Sequence, residues 1–222
     1  MKNNILQKIM VLIAMIIGLC YYSEAQTTFT SGNLRYEWIG GTTVKLIGHK
    51  KDASSASGTI TIPETVTYDG NTLTVKKIGN EAFKYYHNLT GSLVIPNTVT
   101  EIGESAFLGC GFNGTLTLGN SLVTIKSNAF ASCTRLHGSI DFPSTLTTIG
   151  DGAFSNCCDL DGTAWLPESL TELGAHAFSS CSGLQNTMII PSSITTIISS
   201  SLACLISSTV RIKSILMTDV DR

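Results

Sequence analysis

Apolar positions recur along this chain in a fixed order, and the order repeats about every 24 residues. Each block opens with a glycine and a hydroxyl residue. It then alternates apolar, variable and apolar positions and closes on proline. Gly91–Pro96, Gly138–Pro143 and Gly162–Pro167 show the pattern in full. Period-two alternation marks a strand with one buried face, because successive side chains point to opposite sides. Proline ends the strand, since it fixes φ and has no donor. The inward positions are predicted to be Ile60 and Ile62, Leu93 and Ile95, Leu116 and Leu118, Ile140 and Phe142, Ala164 and Leu166, and Met188 and Ile190. Gly119 takes the place of the proline once.

A second apolar pair follows in each block, at 99–102, 122–125, 146–149, 170–173 and 194–197. It reads as another short extended segment, usually followed by a glycine that permits a turn. An Ala-Phe pair comes next and is expected to plug the interior from the far side, from a short helical or 3₁₀ turn. The phenylalanines at 83, 107, 130, 154 and 178 are spaced by 24, 23, 24 and 24 residues. A fixed period of this size predicts a β-rich solenoid, each repeat one coil stacked on the last. No coil can bury its apolar side chains alone, whereas stacked neighbours can. About six coils fit between residues 58 and 205. The first carries an insertion near Asp69-Gly70.

The ends depart from the repeat. Residues 26–57 hold two runs rich in β-branched and aromatic residues, 33–39 and 42–48, separated by Gly40-Gly41. They predict an N-terminal β-hairpin cap, followed by a polar loop at 50–57. The last copy decays: Ile198 stands for the glycine and Ser201-Leu202 for Ala-Phe. Residues 206–222 form a degenerate edge or tail. Within them Thr209–Leu216 reads either as one more edge strand, blunted by Arg211 and Lys213, or as a ragged end.

Residues 1–25 read as a signal peptide. Lys2 and Lys8 are positive, 9–19 are apolar, and Ser23-Glu24-Ala25 offers small residues at a cleavage point before Gln26. An uncleaved anchor would need about 20 apolar residues. Lipid attachment at Cys20 would need a small residue before it, where Leu19 stands. The mature chain is therefore expected to be secreted or displayed at the cell surface, with no transmembrane segment.

Charge narrows the partners. Fourteen Lys and Arg against sixteen Asp and Glu give a net charge of −2. No basic block exists to engage nucleic acid. Six cysteines follow the leader, and Cys110, Cys133, Cys157 and Cys181 each lie three residues after a repeat phenylalanine. Equivalent positions in stacked coils lie about 4.7–4.9 Å apart or more. A disulfide needs Cβ atoms about 3.5–4.5 Å apart. The four thiols are thus predicted to form a buried ladder of small apolar groups. Cys158 breaks the ladder and is left as a possible cross-link between chains. Neither a Cys-x-x-Cys nor a paired histidine spacing supports a metal site.

Nothing in the sequence points to an enzyme or a cofactor. His49, His87, His137 and His176 share no repeat position. Nucleophile-elbow, phosphate-loop and zinc-protease motifs are absent. Glu101 and Glu172 stand three coils apart, roughly 14 Å at strand spacing, beyond the about 5–9.5 Å over which paired glycosidase carboxylates work.

The stretches IPNTVTEIGESAF (95–107) and FPSTLTTIGDGAF (142–154) resemble the leucine-rich repeats of the bacterial surface protein A (BspA)-like group. The similarity spans roughly residues 58–205, and departs from the pattern at Gly119, at Lys126 and through the last copy. The resemblance implies a curved leucine-rich-repeat solenoid with strands along one face. It also implies a secreted or surface location and adhesion to host proteins such as fibronectin or fibrinogen, or to other bacteria. It carries no catalytic residues.

Outward positions of the first strand form two columns. Thr59, Ser92, Thr115, Ser139, Thr163 and Thr187 read as structural hydroxyls, solvated or bonded to one another. Thr61, Val94, Thr117, Asp141, Trp165 and Ile189 vary from coil to coil, as a ligand surface on a regular scaffold does. Val94, Thr117, Asp141, Trp165 and Ile189 are the candidate ligand-binding residues. Trp165 is foremost among them, because exposed tryptophan is enriched at binding hot spots. The expected function is recognition of a host extracellular or bacterial surface protein. A glycan is the alternative partner, and a spacer or fragment of a larger surface protein the non-binding one.

Overall fold

The computed structural model of the protein describes residues 28–184 and 190–194. The leader at 1–25, Met188 and Ile189 lie outside the described residues. So do Cys204, the decayed positions of the last copy and the tail at 206–222.

Thirteen strands and no helix occur among the described residues. The first five are β1 (Thr28–Ser31), β2 (Leu34–Gly40), β3 (Thr43–His49), β4 (Thr65–Tyr68) and β5 (Asn71–Ile78). The anticipated hairpin is β2–β3, whose register puts the turn at Gly41-Thr42, one residue beyond the Gly40-Gly41 pair. The insertion in the first repeat forms a second hairpin, β4–β5, closed by Asp69-Gly70. Both turn residues have positive φ, 50° and 78°. Such two-residue turns match the twist of the flanking strands. β1 pairs with β2, and β3 pairs in parallel with β5, which ties the cap to the first coil. The Phe29 ring lies on Tyr68, with centroids 4.2 Å apart, so the cap curls until β1 stands over β4.

Each following coil contributes two strands of two residues. The second repeat element gives β7 (Glu101–Ile102), β9 (Thr124–Ile125), β11 (Thr148–Ile149) and β13 (Glu172–Leu173). These extend β5 as one continuous parallel ladder. The first repeat element gives β6 (Leu93–Val94), β8 (Leu116–Thr117), β10 (Ile140–Asp141) and β12 (Ala164–Trp165). They pair only as β6–β8 and β10–β12. The principal sheet therefore runs along the second element, not along the glycine-hydroxyl strands.

The third side of each coil is not helical, contrary to the expected helical or 3₁₀ turn. Alternate N–H groups donate to the next coil, as from Phe83 to Ala106 O at 2.7 Å and from Phe107 to Ala129 O at 2.8 Å. The groups between them close turns within their own coil. Residues two before or two after the phenylalanine take positive φ, among them Ser105, Asn128, Ser132 and Asn156. A 3₁₀ or α turn keeps φ negative and cannot send alternate donors outward.

The core is a set of columns. Phe83, Phe107, Phe130, Phe154 and Phe178 are fully buried. Their rings stack with centroids 5.1–5.4 Å apart and within 11° of parallel. The predicted inward residues of the first strand that are described are buried, except that Ile60 and Leu118 are half-buried. A further buried column was not anticipated: Leu89, Phe112, Leu136, Leu160 and Leu184. Phe112 belongs to the 23-residue coil, where its larger ring meets Phe107 edge-on at 6.1 Å. Gly103 sits where a side chain cannot: an added Cβ would stand 2.6 Å from Asn80 N and from Gly79 C of the coil before. Gly150 and Gly174 repeat this close approach.

Candidate ligand-binding face

The first-strand columns point as their alternation requires. Leu93, Leu116, Ile140 and Ala164 face inward, while Val94, Thr117, Asp141 and Trp165 face solvent. Val94 stands beside Thr117 and Asp141 beside Trp165 in parallel register. The two pairs sit on separate short ladders, since β8 and β10 are not bonded. Val94 is 55% exposed and Trp165 50%, far above the core side chains of the same strands. Ile189, the fifth candidate, lies outside the described residues.

The neighbouring hydroxyl column is used by the scaffold. Ser92 Oγ and Thr115 Oγ1 are 3.2 Å apart, and Thr115 N–H donates to Ser92 Oγ at 3.1 Å. Thr163 repeats both contacts on Ser139, at 3.2 and 3.0 Å. These hydroxyls satisfy main-chain donors along a ladder that strand pairing covers only in part. The residues left with no structural task on this face are those of the variable column.

A second surface on the principal sheet is charged, and the repeat pattern did not single it out. Glu101 on β7 accepts from Lys77 Nζ at 2.9 Å and Lys126 Nζ at 2.7 Å, and Lys45 pairs with Glu37 at 2.7 Å. Burial alone would raise the Glu101 pKa, but the hydrogen bonds from Lys126 and Lys77 outweigh it and hold the carboxyl below its usual value. These five side chains border a groove of about 490 Å³. Lys126 stands where Gly79, Gly103, Gly150 and Gly174 stand in other coils, and that departure is the sequence signal for this cluster. Glu172, the other carboxylate considered from sequence, lies on β13, with β9 and β11 between it and β7.

The four ladder cysteines are buried, and each thiol donates to a phenylalanine carbonyl of the preceding coil. Burial pushes the Cys133 thiol up to about 12 and raises Cys110 and Cys157 as well. Cys158 is half-buried, with its thiol 3.2 Å from Asn156 Oδ1.

Against this geometry, the family model for the BspA type leucine-rich repeat region matches the chain in six copies, over residues 59–185 and 163–218. The chain belongs to the BspA-type leucine-rich repeat family. The solved structures agree on the fold. The T. pallidum leucine-rich repeat protein TpLRR is 27% identical, with a TM-score of 0.63 over 74% of this chain and 72% of that one. A leucine-rich cell surface protein of Faecalibacterium prausnitzii is 24% identical, with a TM-score of 0.50 over 75% of this chain and 55% of its own. The pneumococcal vaccine antigen PcpA is 21% identical, with a TM-score of 0.56 over 71% of this chain and 48% of its own. This BspA-type chain spans about half the length of the last two. No curated protein matches it. No helix among the described residues is long and apolar enough to cross a membrane.

Proposed function

We propose that this BspA-type chain is an exported binding module that recognises a host extracellular or bacterial surface protein without chemistry. The reading places it outside the cell, secreted or at the surface. The observation that carries it is the exposure of Val94 and Trp165 on first-element strands whose inward residues Leu93, Leu116, Ile140 and Ala164 are buried. A regular solenoid with irregular side chains on one face binds by shape and surface complementarity. Large aromatic side chains dominate such interfaces. Val94, Thr117, Asp141 and Trp165, continued by Ile189 in the sequence, supply the contact surface. A glycan ligand is the second reading. It is favoured by one observation, the hydroxyl column running beside Trp165, whose ring face would stack on a sugar.

Titration against immobilised fibronectin, fibrinogen and a glycan array, with Trp165→Ser in parallel, tests the proposal. Saturable binding to a protein that the substitution weakens supports it. Binding confined to glycans selects the second reading. No binding to any of these leaves the spacer reading and removes fibronectin and fibrinogen as partners.

A further inference from the structure

The cap holds a second candidate surface, apart from the Trp165 face. A cleft of about 500 Å³ opens between the cap and the first coil. Leu34, Ile60, Pro63 and Val66 give it apolar walls, and Thr59, Thr61, Thr65 and Thr67 line the remainder. None of its lining residues is Lys, Arg, Asp or Glu.

The open edge of β4 and the unpaired run Thr59–Pro63 meet in this cleft. Gly58 N–H donates to Asn88 O at 3.1 Å, and Gly58 O accepts from Thr90 N–H at 2.8 Å, so both of its main-chain groups face the next coil. The run that follows buries Ile62 and exposes Thr59 and Thr61, and none of its main-chain groups is bonded to another backbone group among the described residues. On the other wall, β4 turns into β5 through a two-residue loop. Tyr68 with Asn71 and Val66 with Leu73 are then the bonded pairs, and the main-chain groups of Thr65 and Thr67 point away from β5. β1 comes alongside, because Phe29 stacks on Tyr68, but β1 and β4 are not hydrogen-bonded neighbours in the sheet. Among the described residues, no backbone bond links the Thr59–Pro63 run to β6, although the equivalent Leu93 and Ile95 donate to the coil after them.

We infer that this cleft takes an extended, uncharged peptide segment of a partner protein, added as a strand along the outer edge of β4. Main-chain hydrogen bonds to an open edge give such binding its affinity, and pockets for alternate side chains give its specificity. Leu34, Ile60, Pro63 and Val66 would receive the apolar side chains, and the threonines the polar ones. Apart from His49, whose Nδ1 accepts from Lys51 N–H at 3.0 Å, the lining offers no partner for a charge, and burying an unpaired charge is costly. That selects a neutral segment. Native sheets blunt open edges with charges or prolines, and the sequence Thr65-Val66-Thr67-Tyr68 has neither.

The test is an amide-resolved NMR titration of the full chain with an end-blocked octapeptide of alternating threonine and valine. The expected result is saturable shifts at the amides of Thr59, Thr61, Thr65 and Thr67. The same peptide N-methylated on alternate residues, which removes donors from one edge only, should bind at least tenfold more weakly. The Thr67→Pro variant, which lacks one edge donor, should lose a similar factor, while Trp165→Ser should change nothing. Absent shifts up to millimolar peptide, shifts centred elsewhere, or equal binding of the N-methylated peptide would overturn the inference. A concentration-dependent dimer that the peptide dissolves would overturn it too, by naming a second copy of the chain as the occupant. Because Trp165→Ser is silent here, failure of this site and failure of the Trp165 face are told apart.

Discussion

Cys133 donates its thiol hydrogen to the main-chain carbonyl of Phe107, one coil earlier, at 3.1 Å. The contact recurs from Cys110 to Phe83 O, Cys157 to Phe130 O and Cys181 to Phe154 O. On this side of the coil the phenylalanine N–H points to the following coil. Its carbonyl accepts the thiol that reaches it from that same following coil. The carbonyl also closes a turn in its own coil, as Phe107 O does with Cys110 N–H at 3.1 Å, so the thiol occupies its second lone pair. Cysteine suits the position because it is small and apolar yet carries one weak donor.

The ladder thiols should therefore be inert in the folded chain. The thiolate is the nucleophile, and burial holds the Cys133 thiol at about 12. Peptide mapping after brief alkylation at pH 8 should find Cys158 modified well ahead of Cys110, Cys133, Cys157 and Cys181. In denaturant all of them should react together. Rapid native labelling of Cys133 would contradict the buried ladder.

Phe130 lies at the middle of the ring column, 5.3 Å from Phe107 and 5.1 Å from Phe154. Phe130→Ala should destabilise the chain by roughly 3–5 kcal/mol, the usual cost of emptying an aromatic core site. A denaturant titration reads this directly. Each coil touches only its neighbours, so hydrogen exchange should also show protection lost first in the coils holding Phe107 and Phe154.

Gly103 carries a different constraint, because an added Cβ would meet main-chain atoms of Asn80 and Gly79. Backbone cannot rotate away as a side chain can. Gly103→Val should cost about 1–3 kcal/mol or more through overpacking. The same change at exposed Gly41, where an added Cβ meets nothing within 4 Å, lacks that clash and costs only what its positive φ demands. Thermal melts of the two variants separate close approach from backbone freedom.

Glu101 predicts a pH dependence. Its folded-state pKa lies below the ordinary value because Lys126 and Lys77 outweigh the effect of burial. Its contribution is then complete above the usual glutamate value, about 4.3, and fades as pH falls through the lower folded value. Both lysines are well exposed, so solvent screening keeps the contribution to about 1 kcal/mol or less. Glu101→Gln should flatten the acid limb of a stability-against-pH curve and leave the neutral limb displaced by a small constant. An unchanged acid limb would show that the pair contributes nothing.

The sequence revealed the coil more fully than the ladder that binds coils together. Alternation placed Leu93 and Ile95 inside and Val94 and Trp165 outside, and the structure agrees. It did not show which of two equally periodic elements would form the continuous sheet. That choice depends on hydrogen-bond register between coils, and Ile102 and Leu93 look alike within one repeat. The turns around the phenylalanines are hidden in the sequence for a related reason. Their positive-φ positions are held by Ser and Asn and even by Glu81, Tyr85 and His176, with Gly109 and Gly152 as the plainer hints. The Asp69-Gly70 pair reads as an insertion in the first repeat, yet two residues of that type between β-rich runs also signal a hairpin. The lysines around Glu101 lay in view as Lys77 and the odd Lys126, but only the stacked structure brings them within bonding distance.

The most direct test of the binding face compares affinity and stability in one pair of proteins, the natural chain and Trp165→Ser, against whichever immobilised protein binds. Trp165 is half exposed, so its loss should leave the unfolding midpoint within the about 0.5 kcal/mol typical of surface substitutions. As a hot spot it should cost about 2 kcal/mol of binding, roughly a thirtyfold rise in Kd. A thirtyfold weaker complex at unchanged stability is the predicted result. Unchanged affinity at unchanged stability would contradict the account and move the ligand off the first-strand face.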